Sequence, residues 1–183
     1  MTAVGGTAPR SPSRLDLLPP RLLPILYFAL THLSLAAAFA AIVLDPRGAA
    51  GFFHQPRTIG IVHLITIGWI SASILGALYV IGPMALRMPM PARRPDYVAF
   101  ALFSAGGIGM AGHFFIAGHG GAARYGGIAG YGGVAWAGAL VLAGLLLVAG
   151  RTLRSLGTAP IQKAVRTTVV MSIHQMTDHP APT

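Results

Sequence analysis

Four apolar runs, separated by short charged stretches, decide what this chain can fold into. They lie at about 22–44, 58–81, 97–118 and 134–150. The first, Leu22 to Leu44, carries no formal charge and is long enough to cross about 30 Å of hydrocarbon at a rise of about 1.5 Å per residue. Its Pro24 falls in the first turn, where no backbone N–H is needed. The fourth run is the shortest, at the lower limit for spanning, with Tyr131 placed as an interfacial anchor. The expected fold is therefore an all-α integral membrane four-helix bundle.

Composition agrees with lipid as the solvent. Only 9% of residues are charged and 54% are hydrophobic, against about 25% charged in an ordinary soluble domain. The net charge of +9 comes from thirteen Lys and Arg against four carboxylates. Most of the basic residues sit beside the first run (Arg10, Arg14, Arg21), after the second (Arg87, Arg93, Arg94) and after the fourth (Arg151, Arg154, Lys163, Arg166). Arg47, Arg57 and Arg124 are the remainder. By the positive-inside rule this asymmetry puts both termini in the cytoplasm of a bacterial-type cytoplasmic membrane, and it gives the basic residues a topogenic role rather than a nucleic-acid partner. The apolar run ending at Ala38-Phe39-Ala40 is too long, and its preceding tail too long, for a cleaved signal.

The organisation that follows is a flexible N-terminal tail over 1–21, a transmembrane domain over 22–150 and a cytoplasmic segment over 151–183. Within the last, Ile161 to Met176 spaces its apolar residues as an amphipathic helix lying on the membrane would. Glycines from Gly118 to Gly127, continuing to Gly132-Gly133, read as a flexible outer loop.

The chemistry available is narrow. There is no cysteine, which removes disulfides, thiolate metal sites and covalent c-type haem attachment. Asp16, Asp45, Asp96 and Asp178 all fall in loops or tails and there is no glutamate, so paired-carboxylate enzymes and di-iron sites fall away. Histidine is the informative residue. His32, His63 and His113 lie inside the first three runs, His54 and His119 at the outer edge, and His174 and His179 in the tail. Ionisable groups in hydrocarbon are costly and default to a functional reading.

Depth pairs two of them. His63 lies about 7 to 8 Å below the outer boundary on the second run and His113 at nearly the same depth on the third, while His32 is roughly 18 Å down. At a helical period His63, Thr66, Ile70, Ser73 and Ala77 share a stripe expected to face the bundle. Gly106, Gly109 and Met110 share the face of His113, and glycines beneath a histidine leave a flat groove for a porphyrin. Imidazoles on two neighbouring helices with iron between them are what a low-spin b-type haem requires, with His63 and His113 as metal ligands. The competing reading makes each histidine a hydrogen-bonding strut between helices that pack closely at Gly68, Ala72 and Gly76. His32 is assigned to cross-bundle hydrogen bonding, with a second haem, a propionate or a quinone as its other roles. A copper carrier built on His54 and His119 is weaker, since Met84, Met88 and Met90 lie at the opposite, inner end of the second run.

The segment Phe53-His54-Gln55-Pro56-Arg57-Thr58-Ile59-Gly60-Ile61-Val62-His63-Leu64-Ile65-Thr66-Ile67-Gly68-Trp69-Ile70, continuing through Gly76-Ala77-Leu78-Tyr79 to Pro83, resembles the early helices of haem-copper oxidase subunit I. It is most similar to the short cytochrome c oxidase subunit I-like membrane proteins. The resemblance covers about the first half of the chain, and it implies that His63, by motif position, ligates a low-spin haem b. A complete oxygen-reducing centre is not implied, because this chain has too few spans and no adjacent pair of histidines. What the resemblance implies is a haem-bearing electron-transfer or accessory protein of a respiratory chain, with a second copy or other respiratory subunits as sources of missing ligands. The alternative is a cofactor-free membrane scaffold, assembly factor or transporter subunit.

Overall fold

A computed structural model describes residues 21–51, 55–85, 90, 92–120 and 128–158, with the backbone alone for 117–120, 128–131 and 158. The N-terminal tail, the amphipathic pattern at 161–176, His54, His174, His179, Met88 and the side chain of His119 lie outside the described residues. The described chain is all-α, without a strand, and four of its helices are long and apolar enough to cross a membrane: Leu22–Leu44, Pro56–Ala85, Arg94–Ile116 and Gly132–Gly157.

Helix α1 (Leu22–Leu44) is followed by one turn, α2 (Pro46–Ala49). Asp45 sets that turn: its carboxylate accepts the Gly48 N–H at 3.0 Å and Pro46 takes the first helical position, where its fixed φ fits. Arg57 pairs with the same carboxylate at 3.3 Å, tying the corner to the next helix. That helix, the second span, runs as α3 (Pro56–His63), a π-helical segment (Leu64–Ser71) and α4 (Ala72–Ala85). In the π-helical segment each N–H reaches five residues back, and the Ser71 hydroxyl follows suit by donating to the Thr66 carbonyl at 2.9 Å.

Helix α5 spans Arg94–Gly120 and α6 spans Ile128–Thr158. Both outrun their apolar cores. Gly132 and Gly133, read from sequence as loop, are helical in α6, because a glycine costs a helix only about 1 kcal/mol and the packed turns that follow outweigh it. At the other end α6 continues past Gly150 because Arg151 is held by an ion pair rather than left in hydrocarbon.

The helices are arranged in sequence order. α1 packs on the π-helical segment and α4, α3 packs on α5, and α5 makes its most extensive contact with α6. Facing small residues set the closeness. A Cβ on Gly106 would lie 2.6 Å from the Ala137 carbonyl oxygen, and one on Gly144 would lie 2.8 Å from that of Ala99. These backbones approach as only glycine permits. Between α4 and α6 an apolar groove of about 430 Å³ is left, walled by Leu75, Leu78, Leu145, Val148 and Leu153 among others. We call the end of the bundle where the described chain enters and leaves proximal, and the end carrying Asp45 and His63 distal.

Candidate functional site

His63 ends α3 and is half-buried. Its Nδ1 lies 2.7 Å from the Ile59 carbonyl oxygen one turn back. A carbonyl only accepts, so Nδ1 carries the proton and Nε2 presents a lone pair. The ring lines a cleft between three helices, with Leu30 and Ser34 of α1, Ile67 and Gly68 of the second span, and Ser104 and Gly107 of α5 among its walls. The cleft measures about 10 Å³, room for about one water. On its other side the imidazole meets Phe114, ring centroids 5.1 Å apart at 37°.

His113 lies at the matching level but in another seam. Its Nδ1 would be 3.0 Å from a Cβ built on Gly133, so the ring stands against the distal part of α6. Phe114, 6.3 Å from the His113 ring and edge-on to it, is the side chain that both imidazoles touch, and His113 is not among the walls of the His63 cleft. The reason is angular. On α5, Gly60 of α3 meets Ala111, Phe114 and Phe115, whereas Gly106, Met110 and His113 face Ala137, Gly138 and Gly133 of α6. One residue further along α5 turns the side chain by about 100°, enough to move it from one neighbour to the other.

At Gly106 and Gly109, where a porphyrin groove is expected, α6 lies against the glycines. Gly106 is closed by the α6 backbone, and a Cβ on Gly109 would rest 3.6 Å from that of Ala137. These glycines serve helix packing. The expected inward stripe on the second span also changes. Thr66 and Ile70 are exposed, and Thr66 donates to the Val62 carbonyl at 2.8 Å. The π-helical segment takes more residues per turn than an α-helix, so positions after His63 fall progressively out of an α-helical register. Gly68 and Ile67, not Thr66 and Ile70, face α1 and α5.

His32 sits at the middle of α1 and is exposed, with Nδ1 2.7 Å from the Phe28 carbonyl oxygen. It makes no cross-bundle hydrogen bond among the described residues, contrary to the strut expected of it. The inward-facing polar residues of α1 are instead Thr31, which donates to the Tyr27 carbonyl at 2.9 Å and lies 3.5 Å from the Ser73 hydroxyl, and Ser34 against Gly68.

Sequence reasoning missed the most highly connected polar group. Asp96, expected in a loop, is the third residue of α5 and is 1% exposed. One carboxylate oxygen accepts the Arg93 N–H at 2.8 Å and an Arg151 N–H at 3.0 Å, and the other accepts the Tyr79 hydroxyl at 3.1 Å. The first contact is half of a capping box, an acid at the third helical position reaching back to the N-cap N–H. An acid just after Arg93-Arg94-Pro95 carried that signal in the sequence; its burial depended on Arg151 arriving from 55 residues away. Tyr79 stacks on Tyr27 at 6.0 Å, and the buried Tyr27 hydroxyl has no hydrogen-bond partner among the described residues.

The chemistry these groups offer is limited and definite. His63 offers Nε2 as a donor atom, because Nδ1 is committed to the Ile59 carbonyl. A porphyrin held between His63 and His113 does not fit this packing, since the two rings lie in different seams and the Gly106 face is sealed. Among the described residues no three candidate ligand side chains converge on a metal-sized point. The fold and these contacts define a multi-pass, all-α membrane protein. Comparison with known protein families, curated proteins and solved structures found no match.

Proposed function

We propose that this chain is a b-haem-binding membrane protein with an electron-transfer or accessory role in a respiratory chain, and that His63 would hold the haem iron through Nε2. The observation that carries the reading is the His63 geometry: Nδ1 committed to Ile59 at 2.7 Å, Nε2 left with its lone pair, and small residues, Gly68, Ser34 and Gly107, around the ring. Haem would supply one-electron redox chemistry. The chain's own part is to orient one ligand, exclude water with Phe114 and Ile67, and hold the bundle together through Asp96. The second ligand would come from another chain or, with α5 and α6 repacked from the arrangement described above, from His113. Arginine asymmetry supports an orientation with the proximal end in the cytoplasm and a bacterial-type cytoplasmic membrane as the location.

The test is haem content and ligation state of protein purified after expression with ample haem. The reading requires bound b-type haem that is lost in His63→Ala. His113→Ala then separates the two ligand sources: loss of the low-spin spectrum assigns the second bond to His113, and an unchanged spectrum assigns it to a partner.

A cofactor-free scaffold or assembly factor is the second reading, and the closed packing favours it: the His63 cleft has room for about one water, and Gly106 is filled by α6. On that reading His63→Ala changes stability by about 1 kcal/mol or less and no pigment copurifies.

A further inference from the structure

His32 is one residue from the midpoint of α1, in what would be the centre of the bilayer, and it faces outward. With Nδ1–H donated to Phe28, the Nε2 lone pair of this exposed ring has no donor among the described residues. A polar atom left in hydrocarbon without a partner is expensive, and such side chains ordinarily face protein. Trp69, also near the middle of its span, is 39% exposed, and its indole N–H has no acceptor among the described residues. One surface thus presents an unmatched acceptor and an unmatched donor.

The two share a face and a depth. The side of α1 turned to α5 is marked by Leu30 and Ser34, which line the His63 cleft, and that of the second span by Ile67 against Gly107. His32 and Trp69 are on neither. Thr31 and Ser73, neighbours of these two, meet at 3.5 Å, and the Ser73 hydroxyl donates to the Trp69 carbonyl at 2.6 Å. The Thr31–Ser73 and Ser34–Gly68 contacts set His32 level with residues 71–72, about 4 Å from the height of Trp69. The face between them is otherwise apolar or small, with Phe28, Ala36 and Phe39 exposed along α1.

We propose that this face binds a second copy of the chain, with His32 Nε2 accepting the indole N–H from the partner's Trp69 and the reciprocal bond forming at the other end of a two-fold contact. A second copy is the occupant because it inserts in the same orientation, so donor and acceptor arrive at matching depth, and one isologous contact satisfies both atoms twice. This inference does not rest on haem binding.

The test uses the full chain in phosphatidylethanolamine/phosphatidylglycerol vesicles, with dimerisation followed by energy transfer between donor- and acceptor-tagged copies. Wild type should dimerise. His32→Leu and Trp69→Phe should each weaken the dimer roughly tenfold, as expected for two interhelical hydrogen bonds, and the double variant should be no weaker than either single one because both remove the same bonds. Since the chain has no cysteine of its own, Ala36→Cys should cross-link copies and Leu146→Cys, on α6, should not. Trp69→Phe preserves shape and carries the test if His32→Leu fails to fold. A monomeric wild type, a dimer insensitive to both substitutions, or cross-linking through residue 146 alone would overturn the proposal.

Discussion

At the proximal end of the bundle the second span, α5 and α6 converge on one carboxylate; at the distal end they converge on imidazoles, an aromatic ring and glycine. Asp96 is saturated by a tyrosine hydroxyl, a guanidinium and a backbone N–H. His63, and likewise His32 at mid-span, spends one nitrogen on its own helix and has no partner for the other among the described residues. Such pairing is the mark of a structural group, because a buried charge is tolerated only when it is paired and hydrogen-bonded. An unspent nitrogen is the mark of a group that awaits something, whether iron or a neighbouring chain.

That contrast can be broken most forcefully at Asp96. Asp96→Ala leaves the Arg151 guanidinium without its carboxylate and unties α6 from α4, so denaturant titration in micelles should show a loss of about 3 kcal/mol. If the loss is no larger than for an exposed substitution, the proximal end is not a lock. Next in size is the glycine seam. Gly106→Ala brings a methyl to about the Ala137 carbonyl and should cost about 2 kcal/mol through overpacking, read in the same titration as a lowered midpoint with haem content unchanged. Tyr79→Phe removes one of the hydrogen bonds to Asp96 and should cost about 1 kcal/mol. Smallest is Gly112→Ala: a Cβ there meets nothing within 4 Å, so stability should stay level or rise by about 0.5 kcal/mol from helix propensity. A large loss at Gly112 would mean that this face of α5 is covered in the folded assembly.

The spans and the helical class were readable in the sequence because a run such as Leu22–Leu44 has one stable solution in lipid, a helix that satisfies its own backbone. The common level of His63 and His113 along their helices follows from the fixed rise per residue. Facing was not readable. It depended on the π-helical segment after His63, whose onset no residue in Leu64–Ser71 announces, and on which neighbour each side of α5 meets. Gly106 illustrates the ambiguity: a glycine on a helix face is equally a floor for a cofactor and a seat for another backbone, and only the arrival of Ala137 decides between them. Asp96 was misplaced because a carboxylate beside a proline and two arginines reads as loop until Arg151 and Tyr79 close over it.

The most direct measurement is the difference spectrum, reduced minus oxidised, of the purified full-length protein and of its His63→Ala variant. The account predicts a b-type haem signal in the first and its absence in the second, with both proteins equally helical. A folded wild type that takes up no haem, or a variant whose haem signal is undiminished, would contradict it.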